Sequence, residues 1–277
     1  MHLKKWYGLW VVFLWLSIIA GCASGAASRT PASVPEFRPG MLTGYLDMKT
    51  IVGSSAALVP PPPAEGSAAR SSDEEYSKRN LALRHTPRWD LAASDDNLKF
   101  PEAAGAFSCV LNVPITEEQT PYLYMILRRT LTDAGLSTYG AKNKYKRPRP
   151  FLSNKEDICS SYTKERMAKD WSYPSGHAAI GWAWALILAE ISPEQADAIL
   201  ARGLAFGDSR NVCNVHWQSD VLAGRMMGAA TVARLHGDPA FLADLAAARA
   251  EVAALRAKGA KPAGNCAAEA AALAIQP

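Results

Sequence analysis

Three clusters between residues 142 and 220 carry side chains suited to phosphorus chemistry. Lys142 is followed by Arg149-Pro150, then comes Pro174-Ser175-Gly176-His177, and Ser209-Arg210 with His216 and Asp220 complete the series. They bring cations, two imidazoles, a carboxylate and small hydroxyls from separate parts of the chain. Cations and backbone N–H groups can hold the oxygens of a phosphoryl group while one imidazole attacks phosphorus and another protonates the leaving oxygen. Such a set is sufficient to cleave a phosphate ester without a metal.

Each residue has its own physical reason to be there. His216 and Asp220 are four apart, so on a helix they would share a face. The carboxylate would then accept the proton on one ring nitrogen and leave the other free as a nucleophile. His177 follows Pro174-Ser175-Gly176 at the start of an apolar run from Ala178 to Glu190. Helix starts expose N–H groups that bind anions, and Gly176 allows close approach to the main chain. His177 is assigned as the general acid. Lys142, Arg149 and Arg210 form the electrostatic clamp, since a guanidinium binds two phosphate oxygens at once. Taken singly, each cluster has a plainer explanation: an i,i+4 pair on a solvated face, a capped helix, a basic loop.

The three clusters resemble the phosphate-site pattern of the type 2 phosphatidic acid phosphatase superfamily. Gly207-Asp208-Ser209-Arg210 and His216-Trp217-Gln218-Ser219-Asp220 are similar to the class A bacterial non-specific acid phosphatases. The similarity extends from about Leu46 to about Leu255, taking in Pro60 to Pro63, Leu83 to Trp89 and Ser172-Tyr173. The resemblance implies an all-α, compact helical domain of the fold shared with vanadium haloperoxidases. It implies His216 as a nucleophile forming a phosphohistidine, Asp220 orienting it, and His177 as the acid. Lys142, Arg149, Ser175, Gly176 and Arg210 would bind phosphate, and the neighbouring Lys144, Lys146 and Arg147 receive no role. Substrates would be small phosphate monoesters, with no cofactor and no metal. An acidic to near-neutral optimum is expected, because one imidazole must be neutral and the other protonated. The chain departs from the family at Asn214-Val215, where Gly-Tyr is common, and at Trp171 and Ala178, where Gly and Thr are common. These positions bear on pocket shape.

Competing readings are a vanadium-dependent haloperoxidase, a lipid phosphatase and a non-catalytic phosphate-binding envelope lipoprotein. Lipid phosphatases of this kind usually carry several membrane spans, and only the leader is apolar enough here. The non-catalytic reading would be favoured by missing catalytic residues, and none is missing.

The 277 residues, 49% hydrophobic, suffice for one domain with a sizeable core. A net charge of +4, lower still once Lys4 and Lys5 leave with a leader, is too weak for nucleic acid as a partner. Residues 1–21 read as a secretory signal peptide, Lys4-Lys5 preceding an apolar run from Trp6 to Ala20. Ile19-Ala20-Gly21-Cys22 resembles a bacterial lipobox with Cys22 as the lipidated residue; cleavage within Gly25-Ala26-Ala27 is the alternative. No Asp follows Cys22, which points to the outer membrane. The expected place is therefore the periplasmic side of a bacterial cell envelope, with membrane attachment by a lipid anchor only. Self-association is left open. Cys109, Cys159, Cys213 and Cys266 permit two disulfides in three pairings, one of which would brace the catalytic segment through Cys213; free thiols are the alternative. No Cys-x-x-Cys or His-x-x-x-His pattern marks a metal site.

The remaining elements must position these residues. Residues 22–40 are rich in Ala, Ser and Pro and read as a flexible tether, 41–258 as the helical domain, and 259–277 as an Ala-rich tail, disordered or loosely packed. Ser72 to Asn97 has partial helical spacing with an acidic start at Asp73-Glu74-Glu75. A helix is predicted with Thr120 as cap and Pro121 as first residue, ending near Ala134 at Gly135; a capping box from Thr116 to Gln119 is the other reading of its start. The helix after His177 is apolar nearly all round, with Trp182 and Trp184 in the core. Ser192 and Gln195 predict a capping box on the next helix, and Asp238-Pro239 opens one running to about Ala257. No strand pattern of useful length is present. His85 and His236 have no assigned role.

Overall fold

Proline and small polar residues decide where the helices of this chain begin. In the computed structural model, residue 2 and residues 30–160, 162–262 and 264–277 are described. Apart from residue 2, the segment expected as a leader lies outside them, as does Cys22, the expected lipidation residue. Helix α1 (Ala68–Asn80) is capped by Ser67, whose hydroxyl accepts from the Arg70 N–H at 3.2 Å. Pro87 opens α2 (Pro87–Asp95), Pro121 opens α3 (Pro121–Leu136), and α4 (Tyr139–Tyr145) follows directly. Pro150 opens the short α5 (Pro150–Asn154). Ser175 caps α6 (Gly176–Ile191) by accepting from the Ala178 N–H. Then come α7 (Ala196–Val212), α8 (Gln218–Leu235), α9 (Pro239–Ala257) and α10 (Cys266–Leu273). Asp238 caps α9 from the Phe241 N–H at 2.8 Å. The protein is mainly helical, as expected. A small hairpin of β1 (Glu36–Arg38) and β2 (Met41–Leu42) is the strand structure among the described residues.

Helix α6 lies at the centre. Apart from His177 and Glu190 near its ends its side chains are apolar all round, so it is stable only when surrounded. It packs against α7, α8 and α3, and α9 closes over α3. Trp184 is fully buried, its indole N–H donating to the Leu127 carbonyl at 3.1 Å, while Trp182 packs at the core's edge. Two glycines on α8 set how near that helix comes to α6. A Cβ at Gly224 would stand 2.4 Å from the Ser175 carbonyl oxygen, and one at Gly228 would stand 2.5 Å from that of Ala179. This approach lets the Ser175 N–H donate to the Asp220 carbonyl at 2.9 Å. The second and third sequence clusters are thus brought together by helix packing.

Several sequence expectations are corrected. Ser72 to Asn97 is two helices, because the chain turns at Arg84 to Thr86 ahead of Pro87. Gly135 does not stop α3; the Ser137 and Thr138 hydroxyls, donating to the carbonyls of Ala134 and Gly135, close its end. Thr120 precedes Pro121 as predicted, but its hydroxyl turns back to accept from the Thr116 N–H rather than capping α3. Ser192 forms no capping box, since its hydroxyl is engaged by Glu194, Gln195 and Arg256 instead. Glu36–Arg38, assigned to the tether, pairs as a strand. The Ala-rich tail is not loose: α10 is tied by the Cys109–Cys266 disulfide, buries Ala272, and places Glu269 3.4 Å from the buried Arg202. Its anchors lie far away in sequence, so local composition does not report them. The second disulfide joins Cys159 and Cys213.

Gly224→Ala should lower stability by about 1–3 kcal/mol through overpacking at the α6–α8 crossing. Urea unfolding measures this, and an unchanged midpoint would show that the crossing has slack.

Candidate active site

His216 does not sit on a helix with Asp220, contrary to the expectation from spacing. It lies in the turn before α8, and Asp220 is the third residue of that helix. Their contact comes from a helix start: the Asp220 carboxylate accepts the Trp217 N–H at 2.8 Å, which folds the chain back so that Oδ2 lies 3.4 Å from His216 Nδ1. The turn is held by the Val215 and His216 N–H groups, both donating to the Arg210 carbonyl, and by the Cys159–Cys213 disulfide. Asn214 has φ of 60°, a left-handed conformation that Asn tolerates better than most non-glycine residues. That explains how Asn can stand where the resembled family often has Gly.

The ring of His216 is buried and directional. Nδ1 carries its proton toward Asp220, and Nε2 accepts from Arg149 Nη1 at 3.1 Å. Burial, then the charges of Arg149, Lys142 and Arg210, hold its pKa well below the ordinary histidine range. The result is a neutral imidazole with a lone pair at Nε2, surrounded by cations.

Those cations are the predicted ones. Arg149 is fixed by carbonyls, with Nε donating to Met167 and Asp170 and Nη1 to Val215. Its Nη2 donates to Asp170 Oδ2 at 3.0 Å. Lys142 Nζ lies 3.7 Å from the same oxygen and donates to the Trp171 carbonyl. Burial lowers the Lys142 pKa to about 8, with Asp170 opposing the shift. Arg210 is fully buried, and its Nη2 donates to Asp96 Oδ1 at 2.6 Å. Its Nε and Nη1 have no hydrogen-bond partner among the described residues, leaving donors for an anion.

His177 stands in the first turn of α6, its side chain 17% exposed. Its Nε2–H donates to the Asp96 carbonyl at 3.1 Å, so Nδ1 is the atom that gains or loses a proton. Burial, then Arg210, pushes its pKa down to about 3. Gly176 is the first residue of α6, and its N–H and that of His177 belong to the donors every helix start leaves over. Ser175 is partly committed elsewhere: its N–H donates to Asp220 and its oxygen accepts from Ala178. Ser209, from the third cluster, donates to Asp95 Oδ2 at 2.6 Å, in a buried group with Arg88 and Arg202.

Sequence reasoning passed over the residues that hold Asp220. Arg147, given no role, is buried and donates to Asp220 Oδ1 at 2.6 Å, Ser219 Oγ at 2.7 Å and Asp73 Oδ2 at 2.7 Å. Asp73 also accepts the Ser219 N–H at 2.8 Å. The Ser172 hydroxyl donates to Asp220 Oδ2. Asp96 and Asp170 were missed as well. An isolated Arg in a basic run gives no sign that it is buried; Ser172 alone had a cue, lying beside the Pro174 cluster.

Comparison with known proteins fits this geometry. Residues 120–240, which contain all three clusters, match the model of the PAP2 superfamily. The chain is 44% identical over 186 residues to a non-specific acid phosphatase of Providencia stuartii, covering 67% of this chain and 75% of that protein. It is 39% identical over 180 residues to an acid phosphatase of Zymomonas mobilis subsp. mobilis, covering 65% and 68%. Among solved structures, a bacterial vanadium-dependent iodoperoxidase shares the fold, with a TM-score of 0.50 at 13% identity over 67% of this chain. The chain spans about half of that protein, 53% of its length.

Arg147→Ala should destabilise the protein by about 3–5 kcal/mol, because it strands two buried carboxylates. Denaturant unfolding checks the size. The double variant Arg147→Ala/Asp73→Asn should recover part of the loss, since only Asp220 then lacks its partner.

Proposed function

Because the chain belongs to the PAP2 superfamily and groups with the bacterial non-specific acid phosphatases, we propose that it is an exported acid phosphatase hydrolysing phosphate monoesters through a phosphohistidine. The observation that carries the reading is the neutral His216 ring, held by Asp220 at one nitrogen and facing Arg149 with the other. In the first step the Nε2 lone pair forms the P–N bond as the P–O ester bond breaks. The leaving oxygen takes the proton from Nδ1 of protonated His177. Asp220 stabilises the positive charge that develops on the phosphorylated ring. In the second step water attacks phosphorus, gives a proton to His177, and the P–N electrons return to His216.

Lys142, Arg149 and Arg210, with the N–H groups at Gly176 and His177, neutralise the phosphoryl oxygens throughout. Three cations already supply the charge a metal would bring, which supports a metal-independent reaction. The names of the relatives favour a phosphatase over a haloperoxidase. Export, and a lipid anchor at Cys22 on the outer membrane, are part of the same proposal. They are supported by the character of residues 1–22 and by the two disulfides, which suit an oxidising compartment. No described helix is long and apolar enough to cross a membrane.

His177 has a low pKa in the free protein, so its catalytic proton must arrive with the substrate. A phosphate ester has a second pKa near ~6, and below it the bound monoanion brings that proton. Hence kcat/KM for p-nitrophenyl phosphate should fall with unit slope as pH rises above about 6. A profile flat to pH 8 would remove the proton-delivery step.

The same shift has a stability consequence. The folded pKa of about 3 lies below the ordinary 6.5, so this contribution is present above pH 6.5 and is lost as pH falls toward 3. The melting temperature should therefore drop across that window. Inorganic phosphate should restore it more at pH 5 than at pH 8, which calorimetry can measure.

His216→Ala should reduce kcat on the order of 10⁴-fold or more. It should also abolish the base-stable phosphoenzyme trapped from labelled substrate by an alkaline quench. Labelling that survives in the variant would place the nucleophile elsewhere.

A further inference from the structure

We propose that Asp170 is a built-in competitor for the phosphate site, a carboxylate that substrate displaces and that sets the affinity for phosphate. The inference rests on the reading of Lys142 and Arg149 as the phosphate clamp. A single oxygen, Asp170 Oδ2, reaches both cations, at 3.0 Å from Arg149 Nη2 and 3.7 Å from Lys142 Nζ. The two cations are nearly covered, with side chains 3% and 4% exposed, whereas the Asp170 side chain is 47% exposed. The carboxylate therefore comes from the solvent side and rests on buried charges.

Arg149 does not need this carboxylate for its orientation. Carbonyls of Met167, Asp170 and Val215 already fix Nε and Nη1 at 2.9–3.1 Å. Nη2, the nitrogen left for an anion, has the Asp170 carboxylate at 3.0 Å and the Trp171 carbonyl only at 3.5 Å. Every nitrogen of Arg149 is thus occupied, and the partner easiest to exchange is the exposed one. A phosphoryl group offers more oxygens than one carboxylate, so it can meet Arg149 and Lys142 together with the unpartnered Nε and Nη1 of Arg210, and it wins the exchange. The carboxylate then moves a short distance into water, where its charge is solvated.

The functional consequence is weaker retention of product. A bare pair of buried cations would hold inorganic phosphate tightly, and the enzyme would be inhibited by what it makes. An exposed carboxylate returning to the clamp lowers that affinity for substrate and product alike. Asp170 acts here through the clamp, with no contact to reacting atoms required. A residue that merely positioned Arg149 would have the opposite effect when removed, which makes the sign of the change decisive.

The test is steady-state kinetics of the full chain and its Asp170→Asn and Asp170→Ala variants with p-nitrophenyl phosphate, using inorganic phosphate as inhibitor. Both KM and the phosphate inhibition constant should fall about twofold to fivefold, the scale of a partly exposed ion pair. The fall should be at least as large for Ala, which leaves no acceptor. Constants that rise or stay level in both variants overturn the proposal and leave the phosphatase reading intact. A wild-type enzyme that phosphate does not inhibit competitively overturns the clamp assignment, and this inference with it. Lys142 and Arg149 keep their backbone carbonyl acceptors in both variants, so both should stay folded, and a cooperative melt in the presence of inorganic phosphate checks this.

Discussion

A carboxylate with no solvent contact organises the centre of this protein. Asp220 is fully buried, and an ion taken out of water is tolerated only where its oxygens are matched. Here the Trp217 N–H, the Ser172 hydroxyl, the Arg147 guanidinium and the His216 ring all converge on it. These partners come from three segments, around Arg147, Ser172 and His216-Trp217, so satisfying one charge fixes their relative position. The His216 ring is oriented as a by-product of that requirement: once Asp220 takes Nδ1–H, the Nε2 lone pair can only face the cations.

The rest of the architecture serves this convergence at a distance. Asp73 on α1 holds Arg147 from the far side, so a helix without any residue in the site still determines the carboxylate's geometry. Gly224 and Gly228 bring α8 against α6 closely enough to join Ser175 to Asp220 through the backbone. Asp96, just past the end of α2, joins Arg210 on α7 to His177 on α6 by offering its carboxylate to one and its carbonyl to the other. Its neighbour Asp95 ties down Arg202 and Ser209, and Arg202 in turn meets Glu269 on the disulfide-held α10. A tail that looks unstructured by composition is connected through two residues to the helix carrying the clamp arginine.

What could be read from sequence follows a physical line. Proline, Ser and Asp at helix starts act locally, so the beginnings of α3, α6 and α9 were legible from Pro121, Ser175 and Asp238. Groups able to hold or attack a phosphate are limited to a few residue types, and the structure gathers His177, His216, Lys142, Arg149 and Arg210 in one place. Residues whose task is to neutralise a buried charge are another matter. Asp73, Asp96 and Asp170 are ordinary surface-type residues by name, and only the fold shows that each faces a cation. Arg147 was lost among its lysine neighbours for the same reason. Even the correctly paired His216 and Asp220 were joined by a mistaken route, because a helix start brings positions i and i+4 together as well as a helix face does.

Charge balance around the site explains which of these pairs can change during turnover. Four cations, Lys142, Arg147, Arg149 and Arg210, face four carboxylates, Asp73, Asp96, Asp170 and Asp220. Three of those carboxylates are buried, and separating any of them from its partner would strand a charge in a medium that solvates it poorly. Asp170 alone has water to move into. An entering phosphoryl group must bring its negative charge against cations that are already matched, so something has to yield, and the exposed member yields at least cost. The buried pairs keep the His216 ring neutral and aimed, while the exposed pair is the one that, on our proposal, is exchanged for substrate. Rigidity and exchange thus coexist within a few ångströms because burial divides ion pairs that are otherwise chemically alike.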